Sequence, residues 1–151
     1  MTYLLVSLLM LAQPAAGSDT WPGFLGGGAN CTSAENLTLH WSPEEGIAWE
    51  VEIPGYGQSS PVVWGNRVFV TSTEGENKEL CLIHAFDLNT GNKLWTQELE
   101  ASQKIQFSST VSKAAPTPVV DASGLYVFFE SGDIAGFTHD GKPLWNRSLV
   151  E

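Results

Sequence analysis

The run AFDLNTGNKLW at residues 85–95 decides the fold, because it combines a strand end, a turn and the start of a second strand. Asp87, Thr90 and Gly91 are residues that favour tight turns. Trp95 follows the turn and supplies a large apolar surface for packing. The run therefore predicts a hairpin whose second strand carries a packing tryptophan.

The second half of this run recurs along the chain. GNKLW at 91–95 returns as GKPLW at 141–145 and, more weakly, as GIAW at 46–49. The tryptophans lie at intervals of 46 and 50 residues; they are Trp49, Trp95 and Trp145. A period of about 40 to 50 residues is typical of a unit of four short strands.

A second repeated element defines the unit more closely. SPVV at 60–63 returns as TPVV at 117–120, and each copy precedes a turn and a β-rich run. Alternating residues and glycine-containing turns place four strands in each unit. We therefore predict an all-β fold with two blades, each a four-stranded antiparallel sheet, at residues 59–99 and 116–149.

The run at 85–95 resembles the tryptophan-docking motif of quinoprotein β-propellers, A-x-D-x-x-T-G-K-x-x-W. Five of the six signature positions match, and Asn92 stands where the family has lysine; the matching residues are Ala85, Asp87, Thr90, Gly91 and Trp95. The second copy keeps Gly141 and Trp145, but aligning Ala135 with Ala85 places Phe137 at the aspartate position. It therefore resembles a degenerate blade.

The resemblance to the pyrroloquinoline-quinone-type (PQQ-like) repeat family extends over about residues 19–151. It implies a partial β-propeller in which Trp49, Trp95 and Trp145 stack between neighbouring blades. It also implies that 47–53 is the outer strand that closes a propeller. Since four blades are typical of a closed ring, two blades require missing blades, assembly between chains, or open edges.

The N-terminus has the pattern of an export signal. An apolar run at 4–12 precedes small residues at 15–17, which predicts a signal peptide over 1–17 and an irregular leader over 18–46. We expect a periplasmic or secreted protein with no membrane span after signal removal. Cys31 and Cys81 would then meet an oxidising compartment, and the sequence leaves their pairing open.

Charge excludes one class of partner. Seven Lys and Arg residues oppose 17 Asp and Glu residues, for a formal net charge of −10. Such an acidic chain repels phosphate backbones, so we expect no nucleic-acid binding.

No catalytic or metal site can be assembled from the sequence. Cys81 and His84 are three residues apart on a predicted strand, so their side chains point to opposite faces and do not readily share a zinc ion. No serine–histidine–carboxylate set can be assigned around His40, His84 or His139. We interpret His84 as a structural residue.

These observations favour a non-catalytic extracytoplasmic scaffold that binds a protein or ligand partner, or that docks further blades. No cofactor is assigned. The alternative is the N-terminal fragment of a PQQ-dependent dehydrogenase. The family resemblance implies calcium and PQQ for such an enzyme, but no residue of this chain can be given either role.

Overall fold

The computed structural model describes residues 20–28, 39–42, 44–103 and 110–150. The predicted signal peptide and Cys31 lie outside these residues. The described chain forms two antiparallel sheets and one short 3-10 helix at Phe24–Gly28. The strands are β1 (Thr20–Trp21), β2 (Val62–Trp64), β3 (Arg67–Glu74), β4 (Leu80–Asp87), β5 (Lys93–Glu100), β6 (Val119–Asp121), β7 (Gly124–Phe128), β8 (Asp133–Phe137) and β9 (Pro143–Ser148).

Each predicted blade contains four consecutive antiparallel strands. The first sheet has the order β1-β2-β3-β4-β5, and the second has the order β6-β7-β8-β9. In β4, six consecutive residues from Cys81 to Phe86 are buried, so both faces of this strand are covered. In β9 every residue is exposed, which marks it as an outer strand.

Each blade contains a β-bulge at the same place in its sheet, and the two bulges allow the blades to be aligned residue by residue. The register shifts between Ala85 and Phe86 in the first blade and between Gly136 and Phe137 in the second. Gly136 therefore corresponds to Ala85, and each faces a tryptophan on the adjacent strand. It follows that Thr138, one residue past the bulge pair, corresponds to Asp87.

The alignment of Phe137 with Asp87 was therefore wrong by one residue. The Gly91 amide donates to the Asp87 carbonyl, and the Gly141 amide donates to the Thr138 carbonyl, both at 2.9 Å. The turn of the second blade is one residue shorter. Gly141 and Trp145 have the same spacing as Gly91 and Trp95, so the sequence does not reveal the deletion.

The leader predicted to be irregular contains β1. Thr20 and Trp21 pair with Trp64 and Val63 along the free edge of β2. The Pro22 carbonyl then accepts a hydrogen bond from the Val120 amide of the second blade at 2.9 Å. An unpaired strand edge carries unsatisfied backbone groups, and this segment satisfies some of them in both blades.

Residues 47–53, predicted to form a closing strand, are not assigned to any strand. An extended segment becomes a strand only when a neighbouring strand pairs with it. No such neighbour lies beside 47–53 within the described ranges.

The core lies between the two sheets. It combines alternate residues of the first blade with those of the second, as expected when two pleated sheets pack face to face. Its fully buried aromatic and aliphatic members include Val62, Phe69, Ile83, Val120, Leu125, Phe129 and Phe137. Among the described residues there is no helix of the length and apolarity that a membrane span requires.

Candidate interblade docking site

Trp95 joins the two blades. Its indole Nε1 donates a hydrogen bond to the His139 carbonyl of the second blade at 3.0 Å. A Cβ atom added at Gly141 would lie 2.7 Å from the indole Cδ2, so the ring rests directly on this glycine. Gly141 also has a φ of 82°, a conformation that side chains rarely adopt. The ring thus occupies space that only glycine leaves open.

Trp49 repeats this arrangement on the first blade. Its indole Nε1 donates to the Leu88 carbonyl at 2.8 Å. A Cβ atom at Gly91 would lie 2.7 Å from the indole Cδ2. Trp49 therefore docks on the turn of the first blade, although the segment around it forms no strand.

Asp87 organises the first turn. Its Oδ1 accepts hydrogen bonds from the amides of Asn89 and Thr90 and from the Thr90 hydroxyl, at 3.0, 2.9 and 2.9 Å. The Asn66 side-chain amide donates to its other oxygen. The hydroxyl of Thr90, followed by its amide, holds the pKa of Asp87 below its ordinary value. The carboxylate fixes the turn that presents Leu88 and Gly91 to Trp49.

The turn of the second blade uses different partners. The His139 ring stacks on Trp64 of the first blade, with centroids 5.6 Å apart and planes inclined by 6°. Its Nε2 donates to the Asp121 carbonyl at 2.8 Å. Arg67 forms a salt bridge with Asp140 at 2.6 Å. Sequence reasoning missed these contacts, because the partners lie far apart in the chain and belong to no common motif.

Trp145 occupies the place of Trp95 in the second blade, but it is 38% exposed. Its indole stacks on Tyr126 with centroids 6.1 Å apart, as Trp95 contacts Phe69 at 5.8 Å. The described chain contains no further turn against it. Trp145 therefore presents the same docking surface without a docked blade.

The far face of the second blade surrounds Trp145. We define it by the residues that share one side of the sheet: Val119, Tyr126, Phe128, Ile134 and Trp145. Val119 is 53% exposed, whereas Val62, at the same register position in the first blade, is fully buried. The far face is thus an exposed copy of a surface that the first blade buries.

A second contact between the blades centres on Asp133, which is buried at the start of β8. It accepts hydrogen bonds from the Ser102 amide at 2.9 Å and from the Ser131 hydroxyl at 2.6 Å. Burial raises the pKa of the nearby Cys81 thiol to about 11. Cys81 therefore stays protonated at neutral pH and is a poor nucleophile.

His84 lies between β3 and β5 and is 1% exposed. The Ser72 hydroxyl donates to the Pro54 carbonyl at 2.6 Å, so it accepts from His84 Nε2 at 3.0 Å. The Thr96 hydroxyl then donates to Nδ1 at 3.1 Å. Burial, assisted by the charge of Lys93, lowers the pKa of His84 to about 4. The neutral ring is a structural link between strands.

This buried histidine predicts a pH dependence of stability. The unfolded chain takes up a proton near pH 6.5, whereas the folded chain resists until about pH 4. Stability contributed by the neutral ring is complete above pH 6.5 and falls as the pH is lowered toward 4, by about 3 kcal/mol at most. Urea unfolding of the wild type and of His84→Gln checks this. Between pH 6.5 and pH 4 the variant should lose less stability than the wild type. Equal losses in the two proteins would contradict the role given to the neutral His84 ring.

Among the described residues no group of three histidine, cysteine or carboxylate side chains is placed to hold a metal ion.

Stacked four-stranded sheets joined by docked indoles define a β-propeller of the PQQ-like repeat class. The chain belongs to the PQQ_2 family, described as outer membrane protein assembly factor BamB, whose family model matches residues 13–151. The resemblance predicted from the docking motif is thereby confirmed.

Solved structures with a similar fold are larger than this chain. BamB from Moraxella catarrhalis is 19% identical, with a TM-score of 0.46 over 67% of this chain and 26% of that chain. Quinohemoprotein alcohol dehydrogenase from Comamonas testosteroni is 19% identical, with a TM-score of 0.49 over 70% of this chain and 15% of that chain. The chain spans about a quarter or less of these proteins. No curated protein matches it.

Proposed function

We propose that this chain is part of a non-catalytic, extracytoplasmic β-propeller scaffold whose far face binds another protein module. One observation carries the proposal: the far face repeats, position by position, the surface that the first blade uses to bind the second. Val119, Tyr126 and Trp145 stand where Val62, Phe69 and Trp95 stand in the first blade.

The contact between the two blades indicates which groups a binding module must supply. Trp95 rests on a glycine and donates to a carbonyl of the facing turn. A module that covers Trp145 should supply the same two groups, together with an apolar sheet face to cover Val119 and Phe128. Burial of apolar area contributes about 25 cal/mol per Å², so covering this face favours association. A further blade or a partner protein meets this requirement.

Family membership supports a protein partner, and the N-terminal sequence supports an extracytoplasmic location. The family description names an outer membrane protein assembly factor, which favours a protein partner over a small substrate. The apolar run at 4–12 and the small residues after it favour export to the periplasm.

Site-specific photo-crosslinking in a bacterial periplasm tests the proposal. A benzophenone amino acid replaces Phe128, which is 39% exposed on the far face, in one variant. It replaces Ile47, which is 44% exposed and belongs to neither the far face nor a strand, in the control. We expect one discrete protein adduct from position 128, and its loss when Trp145→Asp is added.

Two results would contradict the scaffold function. The first is an identical set of adducts from both positions, which would indicate random collisions. The second is saturable, stoichiometric binding of PQQ in the presence of calcium, followed by absorbance. That result would favour a dehydrogenase fragment.

A further inference from the structure

We propose that the outer edge of β5 binds an extended peptide of a partner protein, which joins the first sheet as an added strand. Basic side chains of that peptide would lie opposite Glu98 and Glu100. This inference rests on the proposed scaffold function and names the chemistry of one partner segment.

The edge of β5 is long and regular. The strand has eight residues, Lys93–Glu100, and is the last in its sheet. Past the bulge it pairs with β4 without interruption from Trp95 to Glu100. Its other edge pairs with no strand in the part of the chain that the structure describes. Such an edge offers backbone donors and acceptors to an incoming strand.

Two carboxylates lie along this edge. Glu98 and Glu100 are two residues apart, so their side chains share one face, and both are exposed. On β4, Glu98 and Glu100 are paired with Leu82 and Leu80. No salt bridge found among the described residues involves either glutamate. Since opposite charges stabilise cross-strand pairs and like charges destabilise them, lysine or arginine is the complementary choice on an added strand.

The opposite face of β5 borders a groove between the blades. Two adjoining clefts of about 250 Å³ each share Leu99 and Asn146 as lining residues. One cleft is also lined by Leu144 and Trp145, which are 50% and 38% exposed. Alternate side chains of an added strand would enter this groove. The peptide that fits both faces alternates basic with apolar residues.

Binding of designed peptides to the full chain tests this inference. The probes are two fluorescein-labelled peptides of eight residues, one alternating lysine with valine and one alternating glutamate with valine. Fluorescence anisotropy at moderate ionic strength should show binding of the lysine peptide alone. In Glu98→Lys/Glu100→Lys its affinity should fall about tenfold, or about 1.4 kcal/mol, and the glutamate peptide should bind instead.

A matched control separates the edge from net charge. Glu50→Lys/Glu52→Lys makes the same charge change at two exposed glutamates with the same spacing that are not part of β5. This variant should bind the lysine peptide with an affinity within about twofold of the wild type at moderate ionic strength. Circular dichroism verifies that all variants are folded.

Absence of lysine-peptide binding would overturn the inference, and it would mean that the glutamates merely protect the edge from pairing. Equal weakening by both double substitutions would also overturn it, because net charge alone would then explain binding. Crosslinking from position 128 does not involve β5. A persisting adduct without peptide binding refutes only the edge inference, and peptide binding without the adduct refutes only the far-face proposal.

Discussion

Trp95→Ala is expected to lower the free energy of unfolding by about 3 to 5 kcal/mol. The substitution removes the indole that contacts Phe69 in its own blade and rests on Gly141 in the other. It also leaves the His139 carbonyl without its indole donor. Urea unfolding followed by circular dichroism measures the loss.

Trp145→Ala is the matched control, because this tryptophan stands at the same position of the second blade. Trp145 is 38% exposed, and its indole stacks on Tyr126 of its own sheet. We expect a loss of about 1 to 2 kcal/mol. Equal losses at both tryptophans would show that docking between blades adds nothing to the stability contributed by Trp95.

Gly141→Ala is expected to cost about 2 to 5 kcal/mol. An alanine there must adopt a φ of about 82°, which costs about 1 to 2 kcal/mol. Its Cβ would also lie 2.7 Å from Cδ2 of Trp95, and relieving such a clash in a packed site costs about 1 to 3 kcal/mol. Thermal and urea unfolding measure the total loss of stability.

Gly65→Ala isolates the first of these costs. Gly65 has a φ of 57°, and a Cβ there would meet no heavy atom within 4 Å. This variant should lose about 1 to 2 kcal/mol from backbone strain alone. In a Trp95→Ala background, Gly141→Ala should cost no more than Gly65→Ala, since the clashing ring is gone. A full additional cost in that background would contradict the docking geometry.

The sequence predicted the blades well because their signals are local. Turn residues such as Asp87 and Gly91 and the alternating runs each act within a few positions, so their strands appear where expected. The shortened turn at Thr138–Gly141 was misaligned, because a one-residue deletion leaves the spacing from Gly141 to Trp145 intact. Only the hydrogen bonds of the folded turn reveal which residue replaces Asp87.

Other features depend on contacts that no local pattern encodes. β1 consists of two residues whose strand character arises from the free edge of β2. Ser102 and Asp133 are 31 residues apart, and neither belongs to a repeated element. The segment 47–53 illustrates the same dependence: its alternating residues fit a closing strand, but the described chain offers no strand to pair with it. Trp49 nevertheless reaches the turn that the motif predicts.

An indole of one blade docks on the glycine turn of the next, and this contact joins the two blades. Nuclear magnetic resonance of the folded chain tests it most directly, by combining indole N–H exchange rates with nuclear Overhauser effects. We expect slow exchange for Trp95, fast exchange for Trp41, which is 74% exposed, and contacts between the Trp95 ring and the Gly141 α-protons. Exchange of Trp95 as fast as that of Trp41, with no contact to Gly141, would contradict it.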